Sequence, residues 1–431
     1  MPRDIRENVR DQVLASSAGL RPAPSIEATC FAENLTAFAY AGKSTSVTKR
    51  NGIPYFVNEF WTSGQRKASR LHEVSYRACF KPQLPAFFIE RLTQPGDTVY
   101  DPFMGRGTTP LQAALMGRRP VGSDINPLSA MLLAPRLAPP ALEDIAARLA
   151  EIPPSASLPE EPLLDDLHVF FHDTVLARLA ALRAWFIARE RSSALDPVDG
   201  WLRMVCLNRL TGHSPGFFSV YTMPPNQAVG ADRQRRINAK RRQSPPRRDV
   251  DALILRKSRS LLSTGRPPPH PLAMLGVAQA DNAEFVTDGS VDLVVTSPPF
   301  LDVVDYRTDN WLRCWFADID LETVPIAAHK TPDAWRAFVH ASLRDIMRVL
   351  RPGGFVAFEV GEVRGGRVLL EDHVAAAACG LPLAVEGVMV NQQSFTKTAN
   401  CWGVANNRKG TNTNRIVLMR KTHGPDLPQE N

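Results

Sequence analysis

Two acidic residues and two glycines lie where buried strands give way to loops. Residues 99–109 read Val-Tyr-Asp-Pro-Phe-Met-Gly-Arg-Gly-Thr-Thr, the pattern of a strand, a glycine turn and a helix start. Glycine permits positive φ and a close approach of the backbone to a ligand. Asp101 ends this strand and Asp124 ends the next one, where an acid can accept hydrogen bonds from both hydroxyls of a ribose. The spacing therefore predicts a loop that binds a nucleoside-containing cofactor.

A second chemical segment, residues 294–300, reads Val-Val-Thr-Ser-Pro-Pro-Phe. Prolines lack N–H groups and restrict φ, so the carbonyls of this corner keep fixed directions. Ser297 Oγ and the Pro298 carbonyl can accept hydrogen bonds from the amino group of a base, which helps that conjugated nitrogen to become nucleophilic. Phe300 offers an apolar face on which an extruded base can stack. We therefore predict four catalytic residues: Ser297, Pro298, Pro299 and Phe300.

Each segment also has a purely structural interpretation. A glycine loop can be a tight turn, and Ser-Pro-Pro can be a proline turn at a strand end. The two ordered acids beside the loop, and the Val-Asp-Leu-Val-Val strand before the corner, favour the functional interpretation of both.

The elements around these segments alternate between helix and strand. The patterns predict helices at 85–92, 110–116 and 334–350, and strands at 98–100, 120–124, 290–296 and 355–360. Residues 386–390 and 414–420 are typical of a closing antiparallel pair. This alternation predicts an α/β fold with a doubly wound sheet, which binds ligands at the carboxyl ends of its strands.

Residues 80–97, which read Phe-Lys-Pro-Gln-Leu-Pro-Ala-Phe-Phe-Ile-Glu-Arg-Leu-Thr-Gln-Pro-Gly-Asp, run into Asp101-Pro102-Phe103. This run resembles the joined cofactor motifs of bacterial cytosine-N4 DNA methyltransferases, within the family of DNA amino-methyltransferases. The resemblance implies a Rossmann-like class I methyltransferase sheet and S-adenosylmethionine as the methyl donor. It also implies transfer to N4 of a cytosine flipped out of double-stranded DNA, with adenine N6 as the nearest alternative.

The resemblance also assigns site residues. The predicted cofactor-binding residues are Phe80, Lys81, Pro82, Asp101, Phe103, Gly105, Gly107, Thr108 and Asp124, joined by Asp281 as a partner for the adenine amino group. Asp101 is expected to hold the ammonium group of the cofactor. The chain departs from the family in two respects: Arg106 stands where a serine is usual, and the Ser-Pro-Pro segment follows the glycine loop, whereas the most similar members place it before.

Proline-rich stretches divide the chain. We predict an N-terminal extension at 1–75, a methyltransferase domain made of 76–134 and 271–422, and a mainly helical insertion at 135–270. Residues 176–190 within that insertion have the spacing of an amphipathic helix.

Positive charge is concentrated in the insertion. The chain carries a net charge of +7, and residues 232–259 hold eleven Lys or Arg against three Asp, or +8, which leaves −1 elsewhere. Such a patch suits a phosphate backbone, although a solvated helix face is the alternative. The predicted DNA contacts are Arg233, Arg235, Arg236, Lys240, Arg241 and Arg242, with Lys397, Arg408 and Lys409 in the polar loop 391–414. Double-stranded DNA is the expected partner, and a cognate restriction nuclease stays open.

The composition argues against several other classes of protein. No run approaches the roughly 20 apolar residues of a membrane span, and the charged start lacks a signal core, so a cytoplasmic protein, on the nucleoid when bound to DNA, is expected. Six scattered cysteines without a C-x-x-C pair predict neither a disulfide framework nor a metal site.

Three rival interpretations stay open. Enzymes that methylate an RNA guanine or a protein glutamine more often show Asn or Asp before Pro-Pro, and adenine-N6 enzymes more often carry Asp or Asn in place of Ser297. A neutral hydroxyl there would orient an amine without a formal charge beside it, so N4-methylcytosine is the expected product. A catalytically silent nucleic-acid-binding protein on the same fold is the alternative outside the enzymes.

Overall fold

A computed structural model describes residues 28–62, 68–77, 79–154, 158, 164–223, 228–269, 273–301, 306–325, 329–363, 367–392 and 413–422. The strands in these ranges are β1 (Ala39–Tyr40), β2 (Lys43–Ser44), β3 (Ser46–Arg50), β4 (Ile53–Asn58), β5 (Thr98–Asp101), β6 (Arg119–Asp124), β7 (Met274–Val277), β8 (Val291–Thr296), β9 (Leu350–Val360), β10 (Glu362–Val363), β11 (Val368–Leu369), β12 (Leu383–Gln392) and β13 (Thr413–Lys421).

The α-helices in the same ranges are α1 (Ala28–Ala37), α2 (Gln83–Leu92), α3 (Thr108–Leu115), α4 (Leu128–Leu137), α5 (Leu142–Glu151), α6 (Leu164–Leu167), α7 (Asp173–Arg191), α8 (Pro197–Arg209), α9 (Ala231–Arg241), α10 (Val250–Leu262), α11 (Tyr306–Phe316), α12 (Pro332–Val349) and α13 (Leu370–Ala378). Short 3-10 turns lie at Arg70–His72 and Leu321–Thr323.

A sheet in the order β3-β4-β12-β13-β9-β8-β5-β6-β7 forms the centre of the molecule. From β5 the chain moves through β6 and β7 on one side, and then crosses to β8 and β9 on the other, with all five strands parallel. Strand β13 runs antiparallel to both β9 and β12. The direction of winding reverses between β5 and β8, which places a ligand crevice at their carboxyl ends. The predicted doubly wound sheet of the class I methyltransferase type is confirmed.

Apolar strands are buried here because helices cover both faces of the sheet. Successive residues of β8 point to opposite faces: Val294 packs in the cluster that contains Trp335 of α12, and Val295 packs in the cluster that contains Phe88 of α2. All four of these side chains are fully buried. The segments that end in Asp101 and Ser297 are therefore anchored in the core.

Helices α5 to α10 fill the described part of the region between β6 and β7. The predicted helix at 176–190 is confirmed within α7. Side chains of this region share one hydrophobic core with the sheet-bound helices, for example Trp201 of α8 with Leu132 of α4 and Leu111 of α3. The helices that carry the basic segment therefore belong to the same hydrophobic core as the helix that follows the glycine loop.

Two elements differ from the sequence-based expectation. Strands β3 and β4 join the sheet edge, with β4 parallel to β12, although the sequence up to residue 75 predicted no strand. The reason is that β3 is exposed along its whole length and so lacks an apolar alternation. Strand β9 begins at Leu350, before the Arg-Pro-Gly-Gly turn expected to precede it, and its pairing with β8 shifts register near Leu293 to accommodate the extra residues.

The predicted closing antiparallel pair is confirmed by β12 and β13. Among the described residues, no helix is long and apolar enough to cross a membrane. Within the same ranges, no group of three or more His, Cys, Asp or Glu side chains is arranged to hold a metal ion.

Candidate active site

A cavity opens at the carboxyl ends of β5, β6 and β8. Its walls come from the segment before α2, the glycine loop, the loop after β7, the Ser-Pro-Pro corner and α12. The lining residues are Tyr76, Arg77, Cys79, Pro102, Phe103, Gly105, Asp124, Ile125, Asn126, Ala278, Gln279, Ala280, Asp281, Ser297, Pro299, Pro325, His329 and Phe338. The two chemical segments of the sequence thus meet at one cavity.

Asp124 ends β6 and turns its carboxyl group toward this cavity. Its Oδ2 accepts a hydrogen bond from the Gly105 amide at 2.9 Å, and its Oδ1 accepts one from the Asn126 amide at 2.9 Å. Burial raises the pKa of this carboxyl group above its usual range. Each carboxylate oxygen can accept a further hydrogen bond. Asp124 can therefore hold a diol while it keeps the glycine loop in place.

Asp101 lies deeper, at the end of β5, and its side chain is 1% exposed. Its Oδ1 accepts hydrogen bonds from Thr296 Oγ1 at 2.6 Å and from the Phe103 amide at 3.0 Å. Burial raises the pKa of Asp101 to about 7. Because Thr296 immediately precedes Ser297, this hydrogen bond joins the strand of the glycine loop to the strand of the catalytic corner. Asp101 itself is not a lining residue of the cavity.

Arg106, the residue that replaces the usual serine, points away from the cavity into the protein. It is buried, and its guanidinium donates to the carbonyls of Val74 at 2.9 Å and Phe80 at 3.2 Å, and to Thr108 Oγ1 at 3.1 Å. These bonds fasten the segment before α2 to the glycine loop. The departure from the family pattern therefore has a structural account, in which an arginine clamps two walls of the cavity together.

Ser297 lines the cavity at the end of β8, and its Oγ donates a hydrogen bond of 2.5 Å to Glu359 Oε2. Glu359 lies on β9 and is 7% exposed. A carboxyl group of the neighbouring strand therefore packs directly behind this hydroxyl. Motif spacing could not reveal this pair, since 62 positions separate the two residues.

The rest of the corner is held by packing and one hydrogen bond. The Pro299 carbonyl accepts from Trp335 Nε1 at 2.8 Å, which fixes its direction. Pro298 is buried, and the Phe300 ring packs so closely on Gly361 that a Cβ there would meet it at 2.7 Å. Ser297 and Pro299 line the cavity, and Pro298 and Phe300 are not lining residues.

The predicted cofactor-binding residues fall into two groups. Phe103, Gly105, Asp124 and Asp281 line the cavity. Gly107 and Thr108 form the start of α3, and Phe80, Lys81 and Pro82 lie before α2; none of these five is a lining residue. The clamp on the Phe80 carbonyl nevertheless connects this second segment to the glycine loop.

Sequence reasoning missed one wall made of aromatic rings. The Phe338 ring of α12 lies 5.6 Å from the Phe103 ring and 4.7 Å from the His329 ring, measured between centroids. Burial lowers the pKa of His329 below its usual value, so its neutral form is favoured. Phe338 has the helical spacing of a core residue, so nothing in the sequence separated it from the core.

Arg77 was also missed. It lines the cavity, and its Nη1 forms hydrogen bonds of 2.9 and 3.2 Å with the buried carboxylate of Asp309 at the start of α11. This ion pair fixes α11, which follows the catalytic corner in the chain, against the segment before α2. A long-range ion pair of this kind leaves no periodic trace in the sequence.

The basic helix α9 starts close to α11. The Ala228 amide donates to the Asp309 carbonyl at 3.2 Å, and Trp311 Nε1 donates to the Val229 carbonyl at 3.2 Å. The helix therefore begins next to the residue that holds Arg77 at the cavity wall. All six predicted DNA contacts of this helix and its end are exposed: Arg233, Arg235, Arg236, Lys240, Arg241 and Arg242.

Two of these cations already have protein partners. Arg235 forms ion pairs with Asp166 at 2.6 Å and Asp232 at 2.7 Å, and Arg241 lies 3.8 Å from the centre of the Tyr221 ring. Gln234 and Gln243 donate to the Tyr221 carbonyl. The side-chain amides of Gln234 and Gln243 thus anchor the helix to the protein.

Several predicted residues lie outside the described ranges. They are Lys397, Arg408 and Lys409, the predicted DNA contacts in the polar loop 391–414.

The doubly wound sheet, with Asp124 beside a glycine loop at the carboxyl ends of its strands, is of the class I methyltransferase type, an architecture suited to a nucleoside-containing cofactor. Residues 31–131 match the model of a family described as DNA methylase, of N6 and N4 type. The type II methyltransferase M.MjaII of Methanocaldococcus jannaschii is 36% identical over 76 residues, which are 17% of this chain and 14% of that protein. The type II methyltransferase M.BsoBI of Geobacillus stearothermophilus is 29% identical over 126 residues, which are 26% of this chain and 23% of that protein.

The matched part of the chain, residues 31–131, is similar to the DNA amino-methyltransferases, and this similarity indicates S-adenosylmethionine as the methyl donor. These matches span less than a quarter of either relative's length, and they do not distinguish cytosine N4 from adenine N6. Among solved structures, an rRNA methylase from Streptococcus thermophilus is 8% identical, with 80% of this chain and 99% of that chain covered and a TM-score of 0.31. No function is inferred from a structural similarity at that score, and the fold class is assigned from the strand order.

Proposed function

We propose that this protein methylates DNA, with the methyl group of S-adenosylmethionine transferred to N4 of a cytosine flipped out of the duplex. The observation that carries the proposal is the meeting of Ser297 and Asp124 at one cavity, joined underneath by the hydrogen bond between Thr296 and Asp101. Ser297 can orient an amine, and Asp124 can hold a ribose.

The residues of the cavity fit the cofactor. Asp124 retains acceptor capacity on both oxygens, and Gly105 presents backbone in place of a side chain at the same wall. Asp281, an exposed residue that also lines the cavity, can supply an acceptor for an adenine amino group. When bound, the cofactor supplies an electrophilic methyl group on a sulfonium.

Ser297 prepares the nucleophile. Its Oγ accepts one N–H of the exocyclic amine, which orients the nitrogen lone pair for in-line attack. With the cofactor held by Asp124 and the glycine loop, the oriented lone pair would accept the methyl group that the sulfonium supplies, the sulfur would keep the electron pair of the broken bond, and the nitrogen would release one proton to solvent. No strong base is required, because the positively charged nitrogen formed by methylation is acidic.

The choice of cytosine is supported by the residue type at position 297 and by the resemblance of the run from Phe80 to Asp101. The names of the matched relatives state only that they are type II methyltransferases. Adenine N6 is the second candidate, because its amine has the same geometry and chemistry.

Duplex DNA is supported by the exposed cations of α9, which starts beside the cavity wall. Base extrusion is required because an exocyclic amine inside the duplex cannot reach the methyl group.

Mass spectrometry of nucleosides from the DNA of expressing cells tests the proposal. We expect N4-methylcytosine from the wild type, and strong loss of it from Ser297→Ala with cofactor binding retained. Ser290→Ala, at an exposed serine just before β8, is the matched control and should keep full modification. N6-methyladenine would overturn the choice of base, and methylated RNA or protein without modified DNA would overturn the proposed function.

A further inference from the structure

Glu359 is a buried acid that the proposed reaction has not used. It lies near the carboxyl end of β9, between β8 and β13, and is 7% exposed. Its Oε2 accepts the 2.5 Å hydrogen bond from Ser297 Oγ, and its Oε1 accepts a 3.0 Å hydrogen bond from Asn414 Nδ2 on β13. Burying a carboxyl group costs free energy unless its oxygens are paired, and here both are.

The bond to Glu359 decides which way the Ser297 hydroxyl points. Burial raises the pKa of the Glu359 carboxyl group, and the hydrogen bonds from Ser297 and Asn414 oppose this shift by stabilising the ionised form. An ionised carboxylate can only accept hydrogen bonds, so in that form of Glu359 the single Ser297 proton is directed at it. The two lone pairs of Oγ are then left for the cavity side. An unrestrained hydroxyl could rotate and present its proton to the substrate, which would repel an incoming N–H donor.

We propose that Glu359 is a positioning residue that makes Ser297 a fixed hydrogen-bond acceptor, and that Asn414 holds Glu359 in turn. This inference rests on the proposed function, because it concerns how that site selects its substrate group. The arrangement favours an exocyclic amine, which donates, over a carbonyl oxygen, which accepts. Cytosine is thereby accepted and thymine, with an oxygen at the equivalent position, is rejected.

The charge of Glu359 has a second consequence. Nitrogen becomes positive as it bonds to the methyl group, and a carboxylate one hydroxyl away stabilises that charge. The groups that face the carboxylate in the described structure are the Ser297 hydroxyl from the end of β8 and the Asn414 amide from β13. Neither is charged, so the negative charge of Glu359 is not already neutralised by these partners.

Single-turnover methylation of unmodified duplex DNA by the full chain tests this role. Glu359→Met keeps the side-chain volume and removes the acceptor, so the rate should fall roughly 100-fold, the effect of losing one preorganised hydrogen bond at a reacting centre. Glu359→Gln keeps an amide oxygen that can still accept, so its rate should lie between those of Glu359→Met and the wild type. Cofactor affinity by calorimetry should equal that of the wild type in both variants.

Glu371→Gln provides the matched control. Glu371 is fully buried on α13 and its Oε1 pairs with Arg415, outside the cavity lining. Its substitution should lower the melting temperature without changing the rate per folded molecule. A double-mutant cycle then separates the two roles: in a Ser297→Ala background, Glu359→Met should cost almost nothing more, because its effect passes through the missing hydroxyl.

Wild-type rates in both Glu359 variants, or fully additive losses in the cycle, would overturn the inference and leave the proposed function standing. A wild-type protein that modifies no DNA would overturn the proposed function and this inference with it.

Discussion

Asp101 and Asp124 are the same residue type at the ends of neighbouring strands, yet they do different work. Asp124 faces the cavity and holds the glycine loop through Gly105. Asp101 is enclosed and bonded to Thr296, so in this structure it connects two strands. The spacing of the acids could be read from the sequence. Which acid faces a ligand depends on the local chain path and could not.

Replacement of Asp124 should weaken cofactor binding. Asp124→Ala removes both acceptors for the ribose diol, and charge-assisted hydrogen bonds of this kind are worth about 1.5–3 kcal/mol. Asp124→Asn should lose less, because one acceptor oxygen is retained. Calorimetry with S-adenosylmethionine measures both, with the exposed Asp144 of α5 mutated to Ala as the control. Unchanged affinity in a folded Asp124→Ala protein would remove this residue from the cofactor site.

The pKa of Asp101 makes stability depend on pH. Burial raises it from 3.8 to about 7, so between these pH values the folded protein holds a proton that the unfolded chain releases. Stability from this group is therefore fully present below about pH 4 and decreases as the pH rises to about 7. Asp101→Asn keeps the acceptor oxygen for Thr296 and cannot ionise.

Melting temperatures at pH 5 and pH 8 check this. The decrease in melting temperature from pH 5 to pH 8 should be smaller in Asp101→Asn than in the wild type. Equal decreases in the two proteins would show that Asp101 does not carry its proton into the folded state.

Two residues show the limit of prediction at this scale. Arg106 was recognised only as a departure from a family pattern, and Glu359 was not recognised at all. Both act through contacts that span many positions of the chain: Arg106 on the Val74 carbonyl and Glu359 on Ser297. Motif spacing predicts site residues that are close in sequence or that lie at strand ends. It carries no information on a partner that is distant in the sequence.

At the scale of elements, the start of α3 depends on Gly107. Its φ is +76°, and a Cβ there would lie 2.6 Å from the Leu133 side chain of α4. Gly107→Ala should therefore combine backbone strain of about 1–2 kcal/mol with an overpacking cost of about 1–3 kcal/mol. Chemical denaturation measures the loss of stability.

Gly117 provides the matched control, because its φ is +73° and nothing lies within 4 Å of a Cβ there. Gly117→Ala should show the strain alone, so the difference between the two variants reports the contact between α3 and α4. Equal losses in both variants would contradict a tight contact at Gly107.

Most elements around the cavity could be predicted because each has a strong local pattern. Strand β8 is an apolar run bounded by turns, β5 and β6 lie on either side of the glycine loop and its helix, and the closing pair β12 and β13 carries apolar runs at 388–390 and 416–419. Strand β3 could not be predicted, since its exposed sequence Ser-Val-Thr-Lys-Arg gains its conformation only by pairing with β4. Edge strands are set by a neighbour and not by their own periodicity.

At the scale of the whole molecule, the basic helix and the cofactor cavity belong to one packed body. The helices between β6 and β7 share a core with α3, α4 and α11. Helix α9 is also hydrogen-bonded to α11 through Val229 and Trp311. A duplex bound along α9 would therefore be held at a fixed distance from the cavity, which suits an enzyme that must place one extruded base.

If α9 binds phosphates, its exposed cations should set the salt dependence of DNA affinity. Arg233 and Arg236 are exposed on this helix, whereas Arg235 already pairs with two acids. Each phosphate contact contributes about −0.9 to the slope of log affinity against log salt for B-DNA. Changing Arg233 and Arg236 to Gln should make the slope less negative, by the contribution of roughly one to two phosphate contacts.

Removal of two positive charges elsewhere, at Lys43 and Lys49, is the control. It distinguishes DNA binding at α9 from the effect of a lower net charge. Both lysines are exposed: Lys49 lies on β3, the edge strand of the sheet opposite β7, and Lys43 lies on β2, just before β3 in the chain. Lys43→Gln with Lys49→Gln should leave the slope close to that of the wild type, because their contribution is screened beyond about 10 Å at 0.1 M salt. Titrations of fluorescent duplex at several salt concentrations measure both pairs. Equal slopes in the two double variants would mean that α9 is a solvated helix face and that DNA binds elsewhere on the protein.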